Sequence, residues 1–192
     1  LEVAGRIKKN GGEALFIETD VSREAEAERM ISKTVEVFGS LDILFNNAGI
    51  LGPRGPFAAD LDLEDAQRLL QVNIVGVFLG TKHAIPAMIK SGGASIITTG
   101  SDSAFLGNRG LSVYCATKGA VVAFTRVIAM EYADKGIRAN TISPGAGLTP
   151  MHESALEELG NIMTSWFSYG WANVLQTSVD HTPPEFCDDM EL

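Results

Sequence analysis

The chain has 192 residues, enough for one α/β domain with a sizeable core. Its 15 Lys and Arg against 24 Asp and Glu give a net charge of −9, which excludes a nucleic-acid surface built on clustered basic residues. Hydrophobic residues at 45% and charged residues at 20% are ordinary for a globular protein, and no run of about 18 apolar residues suits a membrane span.

Cys115 and Cys187 have neither metal-ligand spacing nor a disulfide framework, so no metal is expected. Two free thiols suit a reducing compartment such as the cytoplasm. Leu1 to Gly12 reads as the tail of an amphipathic helix stopped by Asn10, Gly11 and Gly12, without the apolar stretch of a signal peptide. A protein seldom opens midway through a helix, so the beginning is expected to be cut off.

Ala14 to Glu18 predicts a short strand, and Ser22 offers a cap for a helix. Ala27, Met30, Ile31, Thr34, Val35 and Phe38 recur in that helix at helical spacing, and Gly39 stops it. Leu41 to Phe45 predicts the next strand, running into Asn46-Asn47-Ala48-Gly49. The stretch Leu51 to Phe57 holds two prolines and two glycines and is read as irregular. Asp62 caps a long helix reaching towards Ile89, broken by Ser91-Gly92-Gly93. Ser95 to Thr99 reads as a buried strand and Gly100 to Leu111 as a polar loop. A second long helix runs from about Ser112 to Ala133, and Ile137 to Ile142 is another strand that turns out at Ser143-Pro144-Gly145. Strands separated by helices in this way predict a doubly wound parallel sheet.

Tyr114 and Lys118, four residues apart, share one face of the second long helix. An ammonium beside a phenol favours phenolate, which can trade a proton with an alcohol or carbonyl. The pair alone is weak evidence, and its neighbours give it meaning. Ser101 lies in the loop after a strand, with Ser103 as a rival hydroxyl in the same loop. Asn73 is costly among Leu70, Val72, Ile74 and Val75 unless hydrogen-bonded. Asn46 to Gly49 and Pro144-Gly145 end two further strands, and ligands of open α/β sheets bind at such carboxyl ends. Asn46 itself reads as a structural loop residue, and Cys115 as a packed helix residue.

In these residues, taken with Asp20-Val21, Tyr114-Cys115-Ala116-Thr117-Lys118 and Asn140 through Pro144-Gly145, the sequence resembles the short-chain dehydrogenase/reductase family. The resemblance covers roughly residues 1–151. It implies an incomplete Rossmann-type doubly wound sheet that lacks the first strand–helix–strand unit. It also implies hydride transfer between NAD or NADP and a small secondary alcohol or ketone. Tyr114 would then be the general acid/base, and Ser101 would polarise the substrate oxygen. Lys118 would tune Tyr114 and bind the nicotinamide ribose, and Asn73 would fix a water linking Lys118 to solvent. Asp20 and Val21 would meet the adenine, with a helix cap as the lesser alternative for Asp20. Asn47, Ala48 and Gly49 would lie beside the cofactor ribose, and Pro144, Gly145 and Thr149 would flank the nicotinamide. The family's subunits pair through the two long helices, so the resemblance implies a homodimer or homotetramer for a full-length protein.

The sequence departs from the family pattern at both ends. No glycine-rich pyrophosphate turn occurs, so a strand–helix–strand stretch is expected before Leu1, and the choice between NAD and NADP is unreadable. Gly147 stands where a branched apolar residue is usual, and the family's last apolar strand is not found after Met151. The organisation expected is a partial dinucleotide-binding domain over 1–151, an atypical region over 152–182, and a disordered tail over 183–192. The chain by itself is expected to be poorly stable and to bind dinucleotide weakly. Two rival functions stand beside the reductase: an inactive fragment or paralogue keeping only the dimerisation helices, and a sugar-nucleotide epimerase.

Overall fold

The computed structural model describes residues 2–53 and 55–145. Thr149, the region 152–182 and the tail 183–192 lie outside the described residues.

Helix α1 (Glu2–Lys9) buries no residue, and the chain leaves it through Asn10 to Gly12 as the sequence predicts. Helix α2 (Glu24–Phe38) ends at Gly39, whose φ of 83° lets its N–H bond Val35 O at 2.9 Å. Ser22 is not its cap. Arg23 occupies the cap position without a side-chain bond, because Ser22 is turned back to the Asp20 carboxylate.

Strand β1 (Ile43–Asn46) is followed by α3 (Leu63–Leu70), a π-helical turn (Gln71–Val75) and α4 (Gly76–Lys90), which run on as one apolar rod. Strand β2 (Ala94–Thr99), a short 3₁₀ turn (Asp102–Ala104), α5 (Ser112–Glu131) and β3 (Ile137–Ile142) complete the described elements, with a second 3₁₀ turn (Ala133–Lys135) between α5 and β3. The strands form one parallel sheet in the order β1-β2-β3, with Leu44 opposite Ile96 and Ile96 opposite Ala139.

Inward-facing Leu44, Ile96 and Ile137 pack with Ile31, Ala84, Ile85, Met88 and Ile128 in one core. Both long apolar helices spend residues on it: Ile85 and Met88 from α4, Ile128 from α5. Outside the core, Glu24 on α2 binds Lys82, and the His83 imidazole lies 3.4 Å from the same carboxylate, tying α2 to α4.

Ala14–Glu18 forms no strand, which corrects the expectation for that segment. A strand needs a neighbour's N–H and C=O groups, and no described strand lies beside it; Leu15 and Phe16 are exposed. The sheet's other face is likewise bare on β1, where Ile43 and Phe45 alternate with buried Leu44 and are 63% and 54% exposed.

Candidate active site

The carboxyl ends of β1, β2 and β3 deliver Asn46-Asn47-Ala48-Gly49, Gly100-Ser101 and Ser143-Pro144-Gly145 to one end of the sheet. Two bonds tie the ends of β2 and β3 together: the Gly100 N–H donates to Ile142 O at 2.7 Å, and the Asp102 N–H donates to Pro144 O at 2.9 Å. Gly100 is required there, since a Cβ would stand 2.7 Å from Ser143 Oγ and 2.8 Å from Thr141 Cγ2.

Tyr114 and Lys118 sit one turn apart on α5, Tyr114 half-buried and Lys118 7% exposed. The Lys118 Nζ donates to Thr99 O at 2.9 Å and lies 5.7 Å from the centre of the Tyr114 ring. Burial pushes the Lys118 pKa below its ordinary value. A Cβ on Gly49 would stand 3.6 Å from this Nζ and 3.4 Å from Asn73 Oδ1, so the glycine lies directly against the ammonium and the Asn73 amide.

Asn73 lies in the π-helical turn and is buried. π-Bulges are rare and concentrate at functional sites, because the extra residue re-aims a side chain. Here Asn73 Oδ1 accepts from the Ile50 N–H at 2.8 Å, while Nδ2 donates to Ile50 O at 2.9 Å and to Thr117 Oγ1 at 3.1 Å. Thr117 in turn donates to Tyr114 O at 2.7 Å. The asparagine thereby locks the residue after Gly49 to the turn of α5 that carries Tyr114. The sequence marks Asn73 as needing partners but does not name them, and it does not single out Thr117 or Thr99. Thr117 is wholly buried, one residue before Lys118, and a threonine within a helix is a signal for such back-bonding.

Asn47 Oδ1 accepts from Thr99 Oγ1 at 2.8 Å, bracing the ends of β1 and β2. Asn46, read from the sequence as a loop residue, is the last residue of β1: its Nδ2 donates to Thr81 Oγ1 at 3.1 Å, and its Oδ1 would stand 2.8 Å from a Cβ on Gly80. Val21 packs against Gly76 at the start of α4. Asp20 is exposed and accepts from the Ser22 N–H at 3.0 Å and the Ser22 hydroxyl at 2.7 Å. Those bonds hold its carboxyl below the usual range. In this geometry Asp20 closes a local turn ahead of α2.

Ser101 and Ser103 are both buried. Ser101 Oγ caps the 3₁₀ turn by accepting from the Ser103 N–H at 3.1 Å, and it donates to Asp102 Oδ1 at 2.9 Å. Ser103 Oγ donates to the same carboxylate at 3.2 Å and accepts from Asn108 Nδ2 at 2.6 Å. Among the described residues, no group of three or more His, Cys, Asp or Glu could hold a metal ion.

A buried lysine one helical turn from a tyrosine, and two buried serines in the loop after β2, lie at the carboxyl ends of a parallel sheet, which is where doubly wound folds bind their ligands. The family profile described as short chain dehydrogenase matches residues 1–160. The chain belongs to the short-chain dehydrogenase family. A second profile, the CheC-like family, matches residues 151–187, outside the described residues.

The chain is 38% identical over 168 residues to a 2,5-dichloro-2,5-cyclohexadiene-1,4-diol dehydrogenase of Sphingobium indicum, covering 88% of this chain and 66% of that one. It is 37% identical to (+)-borneol dehydrogenase 2 of Salvia officinalis over 79% of this chain and 53% of that one. Among solved structures it is similar to a short-chain type dehydrogenase/reductase from Mycobacterium marinum, with a TM-score of 0.75 and 36% identity over 82% of this chain and 63% of the other. It is also similar to a 3-ketoacyl-(acyl-carrier-protein) reductase from Brucella melitensis complexed with NADH, with a TM-score of 0.71 and 35% identity over 77% and 62% of the two chains. This chain thus spans less than two thirds of the length of each of these relatives. The incomplete Rossmann-type sheet expected from the sequence is the fold observed, with three parallel strands among the described residues.

Proposed function

We propose that the protein is an oxidoreductase that moves hydride between NAD(H) or NADP(H) and a small secondary alcohol or ketone. The Lys118 ammonium carries this reading. It is buried, and among the described residues Thr99 O is its one hydrogen-bond partner. An ammonium has three donors, so two are left for a ligand, and vicinal ribose hydroxyls suit them. Gly49 supports the fit, because any side chain there would narrow the approach to that ammonium. The relatives' names, which are those of dehydrogenases and reductases, point the same way.

When bound, the dinucleotide supplies the hydride or accepts it. Tyr114 exchanges the proton with the substrate oxygen, and Ser101 hydrogen-bonds that oxygen. Lys118 holds positive charge beside the phenol. Asn73 acts through Ile50 and Thr117, keeping the strand end and α5 in register. Asn47, Ala48 and Gly49 lie on the ribose side in this reading, Asp20 and Val21 on the adenine side, and Pro144, Gly145 and Thr149 on the nicotinamide side. A homodimer or homotetramer is part of the proposal: Phe78 on α4 and Val127 and Met130 on α5 are 46%, 50% and 81% exposed and give the long helices an apolar outer surface. A cytoplasmic location suits the free thiol of Cys115.

The test is Tyr114→Phe in the protein expressed from its own gene, screened with ketones and secondary alcohols, with UDP-sugars as the epimerase control. Loss of general acid/base chemistry should cost about 10²- to 10⁴-fold in kcat while dinucleotide binding is kept. Undiminished turnover by the phenylalanine variant would overturn the reading.

A further inference from the structure

The hydrogen bonds of Ser101 leave its hydroxyl proton already engaged. An ionised carboxylate can only accept, so in the 2.9 Å contact between Ser101 Oγ and Asp102 Oδ1 the serine is the donor. The Ser103 N–H takes one of the Ser101 lone pairs at 3.1 Å. What Ser101 has left to offer is a single lone pair. Ser103 gives no substitute donor, because its own proton is on the same Asp102 oxygen and its oxygen accepts from Asn108.

A substrate oxygen gains negative charge on the way to the transition state in either direction of hydride transfer, so it needs a donor. We propose that Asp102 restrains Ser101 by holding its hydroxyl proton, and that Ser101 acts on substrate only after rotating off this carboxylate. The inference rests on the proposed role of Ser101. It makes Asp102 a positioning residue whose removal accelerates the reaction. The backbone of the turn does not depend on the carboxylate: the Asp102 N–H is held by Pro144 O, and Asp102 O accepts from the Phe105 and Leu106 N–H groups. Side-chain removal therefore frees the serine without dismantling its loop.

The experiment uses the protein expressed from its own gene, and NADH here stands for whichever of NADH and NADPH the unaltered protein binds. Asp102→Ala and Asp102→Asn, each alone and combined with Ser101→Ala, are compared with the unaltered protein in steady-state ketone reduction and in binding of that cofactor followed by fluorescence. A hydrogen bond to a charged group is lost in freeing the serine, so kcat of Asp102→Ala should rise about tenfold. Asp102→Asn, whose oxygen still accepts but is uncharged, should rise less. NADH affinity should stay unchanged, and the gain should vanish in the Ser101→Ala background. If Ser101→Ala abolishes activity while both Asp102 variants bind NADH normally and turn over no faster than the unaltered protein, the restraint is refuted and the role of Ser101 stands. If Ser101→Ala keeps full activity, the role of Ser101 falls and the restraint falls with it. Should Asp102→Ala fail to bind NADH, the isosteric Asp102→Asn decides by the same criteria, and loss of NADH binding in both makes Asp102 a structural residue and refutes the restraint.

Discussion

Asn73 and Ile50 are joined by two opposed hydrogen bonds, the Asn73 Oδ1 accepting from the Ile50 N–H at 2.8 Å and Nδ2 donating to Ile50 O at 2.9 Å. The side-chain amide matches the backbone as a neighbouring strand would. It fastens the segment after Gly49 to the π-helical turn and, through Thr117, to α5.

Asn73→Ala should therefore destabilise the protein by about 2–3 kcal/mol, since it strands a backbone donor and acceptor away from other partners. Asn73→Asp should cost at least as much: it keeps the bond from the Ile50 N–H but buries a charged oxygen against Ile50 O and Thr117 Oγ1 with no proton to offer either. Urea unfolding midpoints check both, and a neutral effect for either variant would mean the paired bonds do not matter to stability.

Gly49→Ala is expected to separate folding from binding. The added Cβ meets Asn73 Oδ1 at 3.4 Å and Lys118 Nζ at 3.6 Å, ordinary contacts that the fold can bear. The same methyl sits beside the ammonium where a ligand would have to reach it, so affinity for the bound cofactor, NADH or NADPH, should fall about tenfold, or about 1.4 kcal/mol. Isothermal titration beside a melting curve reads the two effects apart, and equal affinity with equal stability would remove Gly49 from the site.

Lys118 should make stability depend on alkaline pH in a defined direction. Burial lowers its folded pKa below the ordinary 10.5. Between the folded and unfolded values the unfolded chain binds more protons, so stability rises as pH rises through that window. Below the folded value the penalty of the buried charge is present in full. Lys118→Met removes it and should stabilise the fold at pH 7 by about 1 kcal/mol while NADH binding is lost. The difference between the two proteins should shrink towards pH 10 and above. A methionine variant that melts lower than the parent at pH 7 would show that the Thr99 contact outweighs the burial penalty.

The bare face of β1 predicts self-association of the 192-residue chain. Ile43 and Phe45 are exposed beside an edge with no described strand next to it. Ile43→Thr with Phe45→Thr keeps β-forming residues but removes the apolar surface. Sedimentation velocity should show fewer large species than the parent at equal concentration, and an unchanged distribution would place the association elsewhere.

Some of this was readable in the residues alone. Helical periodicity puts Tyr114 and Lys118 on one face whatever surrounds them, and the glycine at 39 and the asparagine and glycines ending α1 stop their helices by local backbone preference. The boundaries of β3 and the long helix from Leu63 to Lys90 follow from the same short-range signals. Asn73 shows that the sequence can register a need without its answer: a polar group among apolar neighbours must find partners, but Ile50 and Thr117, 23 and 44 residues away, are supplied by packing.

What the tertiary structure decided is where long-range partners are or are not found. Ala14–Glu18 has the composition of a strand and forms none, because a strand exists only through a neighbour's hydrogen bonds and no described strand pairs with it. Ser22 has the chemistry of a helix cap and serves Asp20 instead. Ser101 is expected from the sequence to donate to a substrate oxygen, and only the folded loop shows its proton held by Asp102. The sequence by itself determined which groups share a helix face or a strand end, since those follow from the regular period of the backbone. The choice of partner for each polar group was left to the fold, since it depends on distances that no local period specifies.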